Sequence, residues 1–222
     1  MSLIAAFFGL AYLVDAFCIS TTFKYLWNAN SSHGAVEKLL QLQQTPPEIT
    51  ACVQCYHYKD SRSSTHTRAD GTTEQRSESS HERINTHRAT SEFQFEHWRD
   101  MSELPYVVTR PFDIVRLHLR IKIKYGTEAT ARAHAAMCQA LRDLHANRDA
   151  HFEFKETVVV EGMVPHMLLL PEDGSLRPWW MYWQWYAASV FVFLNWPYRM
   201  ALEASTVKVT YVLAKEVYIA EP

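Results

Sequence analysis

The sequence has few of the residues on which specialised architectures depend. Its 222 residues include only 6 glycines, 9 prolines and 4 cysteines, which excludes a collagen-like chain and a disulfide framework. Neither sign of charge is in excess, because 22 lysines and arginines stand against 24 aspartates and glutamates. Nucleic-acid binders usually carry a basic excess, so we expect no nucleic-acid partner.

The sequence also lacks the short motifs of common enzyme classes. It contains no G-x-S-x-G elbow, P-loop, H-E-x-x-H helix or dinucleotide fingerprint. Cys52 and Cys55 lie on an alternating stretch, where residues three apart face opposite sides, and no second pair completes a zinc site. The spacings of His81, His87 and His97 match no standard metal-ligand pattern. We therefore expect a chain that is not an enzyme, with no catalytic residue, metal or cofactor.

Charge is missing altogether from residues 178–198, which read PWWMYWQWYAASVFVFLNWPY and hold five of the seven tryptophans. A helix rises about 1.5 Å per residue, so this stretch would cover roughly 30 Å, the thickness of a bilayer's hydrocarbon core. Tryptophan and tyrosine are typical of the membrane interface. The stretch predicts a membrane-spanning or re-entrant helix, and the alternative is the core helix of a soluble protein.

A second apolar stretch, residues 3–14, is followed by Asp15 and by uncharged residues up to 23. With Asp15 included the stretch is long enough to span a membrane, but a carboxylate there is costly and calls for a polar partner. A cleaved signal peptide is the alternative, although no lysine or arginine precedes the stretch. We predict a membrane helix in this N-terminal stretch. Partner contacts inside the membrane are expected at Asp15 of this helix and at Gln184 and Asn195 of the Trp-rich segment.

Residues 28–177 contain all 11 histidines and most of the charged residues, which indicates a soluble α+β domain. Strict alternation of apolar and polar residues over 115–125 predicts a half-buried strand. Shorter alternating stretches, at 49–58 and 91–96, predict two more strands. Helices are predicted at 35–43 and after Thr127, a capping residue. The apolar stripe predicted for the second helix is Ala133, Met137, Ala140, Leu141 and Leu144.

The expected fold class is therefore an α+β membrane protein, in which two hydrophobic membrane segments flank a domain of mixed antiparallel sheet and helices. Its expected parts are an N-terminal membrane helix, the soluble domain, a Trp-rich membrane or re-entrant helix, and a tail with the alternation of an edge strand. These parts cover residues 1–27, 28–177, 178–203 and 204–222.

The polar side chains of the 115–125 strand are mostly basic, and such cations attract phosphate headgroups at roughly 1 kcal/mol each near a membrane surface. We expect lipid contact from this strand and from the Trp-rich segment. The residues expected to contact lipid are Arg116, Arg120, Lys122, Lys124, Trp179, Trp180 and Trp183. A solvated basic face is the alternative, as is pairing with a carboxylate-bearing strand that contains Glu92 and Glu96.

Several short motifs together resemble the transmembrane protein 151 family of eukaryotic multi-pass membrane proteins. The most specific are HERINTH and WPYR, and their order and spacing cover nearly the whole chain. The matching stretches are AYLVDAFC at 11–18, QQTP at 43–46, YHY at 56–58, HERINTH at 81–87, SEF at 91–93, RPWW at 177–180 and WPYR at 196–199. The resemblance implies a membrane protein with a folded domain between hydrophobic segments, and it implies no reaction and no catalytic residues.

Two functions fit these observations. The first is a non-catalytic integral membrane accessory or scaffold subunit that docks onto other protein subunits of a larger membrane assembly and contacts membrane lipids. The alternative is a lipid-responsive or transport-related membrane protein that uses Asp15 and the basic strand at 116–124. Cations near the two apolar segments number three on each side, so orientation and compartment stay open between an organellar membrane, including the mitochondrial inner membrane, and the plasma membrane.

Overall fold

Helices and strands occur in mixed order along the described part of the chain, where six strands follow the third α-helix in succession. The computed structural model describes residues 2–61, 66–67, 73–74, 80–103, 114–171 and 177–220. Within these ranges the α-helices are α1 (Ser2–Val14), α2 (Thr21–Trp27), α3 (Ser32–Gln44), α4 (Glu128–His145), α5 (Trp183–Phe191) and α6 (Asn195–Ala204). The strands are β1 (Ala29–Ser31), β2 (Pro47–Ser61), β3 (His66–Thr67), β4 (Thr73–Glu74), β5 (Ser80–Glu92), β6 (His97–Asp100), β7 (Val115–Tyr125), β8 (His151–Val160), β9 (His166–Leu170) and β10 (Val207–Tyr218).

The chain divides into two units, and each is assembled from three separate stretches. Unit 1 comprises Met1–Pro47, Trp98–Lys124 and Val160–Glu216. Unit 2 comprises Glu48–His97, Tyr125–Val159 and Val217–Pro222.

Unit 1 is built on a five-stranded sheet with the order β1-β9-β7-β10-β6. The sheet is mixed, because β1 pairs with β9 in parallel whereas β7 pairs with β9 antiparallel. The strand predicted at 115–125 is confirmed as β7, in which Val115, Leu117 and Leu119 are buried. The alternating C-terminal tail is β10, which lies between β7 and β6 and is therefore an interior strand.

One core of unit 1 lies between this sheet and α3. Ser31 is the N-cap of this helix, because its Oγ accepts a hydrogen bond from the Gly34 amide at 3.2 Å. Its buried residues Ala35, Leu39 and Leu42 pack with apolar side chains of the sheet. The sheet residues of this core include Val115, Leu117, Leu119, Met167, Leu169, Tyr211 and Leu213.

A second core of unit 1 is formed by the remaining helices and Leu168 of β9. Side chains alternate along a strand, so Leu168 faces away from Met167 and Leu169 of the α3 core. Leu168 packs with Tyr25 and Leu26 of α2, and other members of this core come from α5 and α6. The sheet of unit 1 therefore carries α3 on one face and α2, α5 and α6 on the other.

Strand β10 buries a lysine near the α3 core. The side chain of Lys215 has no exposed surface, and its Nζ lies 2.8 Å from Oδ2 of Asp100 on β6. The same ammonium group donates to the carbonyls of Leu42 and Gln43 at the end of α3. Burial lowers the pKa of Lys215, and the Asp100 carboxylate opposes that shift. Cations at helix C-termini interact favourably with the helix dipole, so the Lys215 ammonium also caps the C-terminus of α3.

Unit 2 consists of α4 and a three-stranded sheet with the order β5-β2-β8. The predicted cap of α4 is confirmed, because Thr127 Oγ1 accepts from the Thr130 amide at 3.1 Å. Its predicted apolar stripe is confirmed at Leu141, which is buried, and at Met137, which packs against the same core, but it is wrong at Leu144, which is 67% exposed. The buried face carries Thr130, His134, Cys138, Leu141 and His145. The buried face therefore contains polar side chains that the apolar pattern did not predict.

The strand predicted at 49–58 is confirmed as part of β2, which pairs antiparallel with β5. Strand β5 ends at Glu92, so the strand predicted at 91–96 is wrong beyond that residue. Most of the polar stretch between residues 59 and 80 lies outside the described residues, and within it β3 pairs with β4.

The membrane-spanning helix predicted at 178–198 is wrong, whereas its re-entrant alternative stays a prediction. Residues Trp179–Met181 form one turn of 3-10 helix, and α5 then runs for only 9 residues. Phe193 has a left-handed backbone with φ of 59°, which a right-handed helix cannot contain. Pro197 lies in the first turn of α6, where a proline is tolerated because its missing N–H would have no partner in the helix. The stretch is thus two short helices separated by a turn.

The N-terminal stretch is also broken. Helix α1 continues into a π-helix at Asp15–Ile19, and the chain bends by 50° before α2. No single helix in the described residues is long and apolar enough to cross a membrane, although this bent pair reaches the required length and composition together. The prediction of two membrane segments flanking the domain is therefore contradicted, whereas the α+β architecture is present.

Candidate functional site

The helices of unit 1 expose an extensive apolar surface, which we call the apolar face. Its most exposed residue, Phe193 in the turn between α5 and α6, is 77% exposed. Soluble monomeric proteins rarely leave large contiguous surfaces of this kind uncovered. The apolar face comprises Phe7, Phe8, Leu10, Trp179, Trp185, Phe191, Val192, Phe193, Leu194, Trp196 and Met200.

Helix α1 and the α5–α6 turn contact each other on this face. The Tyr12 hydroxyl donates a hydrogen bond to the Val190 carbonyl at 3.1 Å, and the Tyr12 and Phe193 ring centroids are 5.4 Å apart. Trp179 packs edge-on against Trp185 at 4.8 Å. These contacts hold Tyr12 of α1 against the turn between α5 and α6, and they hold Trp179 against α5.

A groove of about 590 Å³ opens beside α5 and α6, and its volume is within the range of small-molecule sites. Its lining includes Trp179, Trp180, Val192, Leu194 and Tyr198. Among the residues that the structure describes, the lining contains no carboxylate, imidazole or thiol group, so they offer no acid, base or nucleophile other than hydroxyls. Its chemistry suits a hydrocarbon chain better than a reacting polar substrate.

Asp15, which we expected to contact a partner inside the membrane, is paired within the chain. Arg199 Nη2 lies 2.9 Å from Asp15 Oδ2 and 3.4 Å from the hydroxyl of Tyr186. Tyr186 is completely buried, and its hydroxyl lies 3.1 Å from both the Ala16 carbonyl and Ser20 Oγ. A π-helix displaces a carbonyl from regular α-helical bonding, which leaves that of Ala16 available to Tyr186.

The other two predicted membrane contacts lie in different environments. Gln184 is exposed on α5, and Asn195 is buried at the first residue of α6. Asp15 is half-buried in the π-helix, with Arg199 as its ion-pair partner in the described part of the chain.

The basic residues of β7 differ in their surroundings. Arg116 is half-buried, with its Nη1 3.5 Å from Glu203 Oε1, whereas Arg120, Lys122 and Lys124 are exposed. Arg116 pairs in register with Leu168, so both side chains lie on the sheet face that carries α2, α5 and α6. Alternation places the other three cations on that same face. Of the predicted lipid contacts among the tryptophans, Trp179 and Trp183 are exposed and Trp180 is half-buried.

Two histidines lie beside Arg116 on this face. The imidazole rings of His118 and His166 are 4.8 Å apart. Burial lowers the pKa of His166, and nearby His118, Lys24 and Lys208 lower it further. Lys24 and Lys208 are thus further cations near this histidine pair. The carboxylate-bearing strand considered as a partner for β7 is not its neighbour, because β5 pairs with β2 and β7 pairs with β9.

Unit 2 contains a separate cluster that could hold a metal ion. His134 and Cys138 of α4 and Glu156 of β8 place one ligand atom each within 4.8 Å of the others. His134 Nε2 lies 3.2 Å from Glu156 Oε1 and 3.6 Å from Cys138 Sγ. Burial raises the pKa of the Cys138 thiol and the Glu156 carboxylate raises it further, while Arg142 lowers it.

Sequence reasoning missed this cluster. His134 and Cys138 are four residues apart in a helix that was correctly predicted, and side chains at that spacing lie on one face. That signal was present, but the helix was interpreted by its apolar residues. Glu156 could not have been found this way, because β8 is brought to α4 only by the folded sheet.

The exposed aromatic helical face and the apolar groove place this α+β protein in the class whose apolar surfaces bind a partner protein, a ligand or a membrane. The chain belongs to the TMEM151 family, whose model matches residues 3–219, and the predicted resemblance is thereby confirmed. Membership makes it a membrane protein and assigns no reaction, compartment or partner. No curated protein and no solved structure matches the chain significantly.

Proposed function

We propose that the protein is a non-catalytic membrane accessory subunit, held in lipid by its apolar face and docked through polar surfaces onto other subunits of a larger assembly. The observation that carries this proposal is the exposed apolar turn between α5 and α6. Four consecutive large apolar residues there, Phe191 to Leu194, are each more than half exposed. Water is a poor solvent for such a turn, and lipid hydrocarbon is a good one.

The dimensions of the helices favour insertion into one leaflet. Helix α5 has 9 residues, so at about 1.5 Å per residue it is roughly 13 Å long, comparable to half of a hydrocarbon core about 30 Å thick. Transfer of a fully exposed large apolar side chain out of water is worth about 1.5–3 kcal/mol, so the four turn residues, which are 54–77% exposed, supply roughly 4–8 kcal/mol. This free energy is sufficient for stable membrane attachment.

A non-catalytic role is supported by the chemistry of the groove and by the absent enzyme motifs. The groove beside α5 and α6 has an apolar lining that can hold an acyl chain, and its described residues offer hydroxyls as the only groups able to exchange a proton. The internal pairing of Asp15 with Arg199 removes one reason to expect a partner inside the membrane. We therefore assign docking to the polar surface of the protein.

Membrane flotation of the purified full chain tests the lipid contact. Phe191 and Phe193 are 70% and 77% exposed, so replacing both by serine removes about 2–4 kcal/mol of transfer free energy, and partitioning into vesicles should fall by at least about 30-fold. The control replaces Leu144 and Phe152, exposed apolar residues of unit 2, by serine and should leave partitioning unchanged. Equal flotation of the turn variant and the wild type would refute the proposal. A monomeric protein that crosslinks to no neighbour in native membranes would refute the docking role.

A second candidate function is the lipid-responsive one, and a separate observation favours it. The exposed cations Arg120, Lys122 and Lys124 project from the sheet face that carries the apolar helices, where headgroups of an adjacent leaflet would lie. At roughly 1 kcal/mol per cation, changing all three to glutamine should weaken binding to anionic vesicles about 100-fold and leave neutral vesicles unaffected. The matched control changes three exposed cations of unit 2, Lys59, Arg132 and Lys155. Unchanged binding to anionic vesicles would exclude headgroup recognition by β7.

A further inference from the structure

The cluster in unit 2 brings three different metal-ligating groups to one point. His134 and Cys138 lie one turn apart on the buried face of α4, where they are 7% and 6% exposed. Glu156 comes from β8, and its side chain is 39% exposed. The imidazole Nε2 is the common atom of the cluster, because both the carboxylate oxygen and the sulfur lie close to it.

Two of the three separations in this cluster are close to the edges of a zinc tetrahedron. Zinc binds imidazole nitrogen at about 2.0–2.1 Å, thiolate sulfur at about 2.3 Å and carboxylate oxygen at about 2.0–2.2 Å. At a tetrahedral angle these lengths place nitrogen about 3.6 Å from sulfur and about 3.4 Å from oxygen. The observed separations are 3.6 Å and 3.2 Å. An ion could thus enter with small movements of the side chains.

The imidazole is also held in a suitable orientation. His134 Nδ1 lies 3.0 Å from the hydroxyl of Tyr125, so this contact fixes the ring with Nε2 toward Cys138 and Glu156. The ring stacks on Tyr125 at 4.9 Å and meets the edge of Phe93 at 5.1 Å. Metal-bound histidines almost always make such a hydrogen bond through the second ring nitrogen. Tyr125 therefore supplies the outer contact that a metal site requires.

We propose that His134, Cys138 and Glu156 bind one Zn²⁺ ion, with a water molecule as the fourth ligand on the side of the partly exposed Glu156. A thiolate, an imidazole and a carboxylate together suit zinc, whereas calcium and magnesium prefer oxygen ligands alone. The ion would join α4 to β8 and so stabilise unit 2. This inference is independent of the proposed membrane function, because all of its residues lie in unit 2.

Titration of the purified, chelator-treated full chain with Co²⁺ tests the site. We expect one equivalent to bind, with a sulfur-to-metal charge-transfer band and the visible bands of tetrahedral cobalt, both of which Zn²⁺ displaces. Cys138→Ser should lose the charge-transfer band, and the control Cys52→Ser should keep it. Absence of a one-equivalent cobalt signal in the wild type would overturn the proposal, as would an unchanged band in Cys138→Ser.

A variant at the exposed ligand guards against misfolding as an explanation. Glu156 lies at the surface, so Glu156→Gln should leave the circular dichroism spectrum of the metal-free protein unchanged. It should weaken Zn²⁺ binding at least tenfold in competition with a chromophoric chelator, since it replaces a charged ligand by a neutral one. Wild-type affinity in a folded Glu156→Gln protein would remove Glu156 from the site and overturn the three-ligand assignment. Zinc should also raise the melting temperature of the wild type and not that of Cys138→Ser.

Discussion

Replacing Asp100 by asparagine should destabilise unit 1 strongly, because it leaves the buried Lys215 ammonium without its counter-charge. The pair is 2.8 Å apart, and the side chain of Lys215 has no exposed surface. In the native protein the backbone amide of Ser102 donates to Asp100 Oδ1 at 2.9 Å. The side-chain oxygen of asparagine can accept the same hydrogen bond, so the local turn is kept. The variant therefore removes charge with little change in shape.

Breaking a buried ion pair by removing one partner costs about 3–5 kcal/mol. We expect the lower end of this range, about 3 kcal/mol, because Asp100 is 19% exposed and Lys215 keeps the carbonyls of Leu42 and Gln43. In a protein of this size, 1 kcal/mol shifts the melting temperature by about 2–4 °C. The expected loss is therefore about 6–12 °C.

Thermal unfolding of the purified protein in detergent, followed by circular dichroism, measures this loss. In a Lys215→Met background, Asp100→Asn should cost less than about 1 kcal/mol, because no buried cation is then left unpaired. The exposed pair of Arg83 and Glu153 is the comparison, and Glu153→Gln should leave the melting temperature unchanged. Equal losses for Asp100→Asn in the two backgrounds would refute the argument.

Three further predictions concern single side chains. Gly126→Ala should strongly lower the melting temperature of unit 2, because a Cβ there would come within 2.0 Å of the Tyr218 ring; a stable variant would show that the ring moves aside. The hydrogen bond from Thr86 helps to hold the pKa of Asp149 at about 2, so this carboxylate stabilises the fold above about pH 4, and the effect is lost as the pH falls through 2. Asp149→Asn should flatten the dependence of melting temperature on pH in that window, and an unchanged profile would contradict the assignment. Tyr186→Phe should cost about 1–3 kcal/mol in a denaturant titration, since it removes a buried hydroxyl with several partners; a loss within error would show that those partners find others.

Elements whose pattern is local were predictable from the sequence. Strand β7 follows from alternation over eleven residues, and the start of α4 follows from the capping side chain of Thr127. The buried face of α4 was not predictable in the same way. His134 on this face shares a hydrogen bond through Nδ1 with the hydroxyl of Tyr125, nine residues earlier in the chain, and this bond compensates for its burial. Hydropathy does not reveal such a partner.

The break at residues 178–198 shows why length and apolarity were insufficient. Length and apolarity are both properties of the sequence alone. The left-handed backbone at Phe193 is set by tertiary packing, and no glycine marks this position as a turn. The partner of Asp15 was also out of reach, because Arg199 is 184 residues away in sequence. The need of the carboxylate for a polar partner was a sound inference, but only the fold identifies that partner.

The interleaving of the two units along the chain has a consequence for biosynthesis. Unit 1 needs β10, with Tyr211 and Leu213 in its core, and unit 2 includes residues from 217 onward. Neither unit can complete its fold until the ribosome has translated these C-terminal residues, which follow roughly two hundred others in the chain. Pairing between distant segments is slow, and the unpaired strands and apolar helices stay exposed to aggregation in the meantime. Shielding of the apolar helices by a membrane or a chaperone during translation would shorten this exposure.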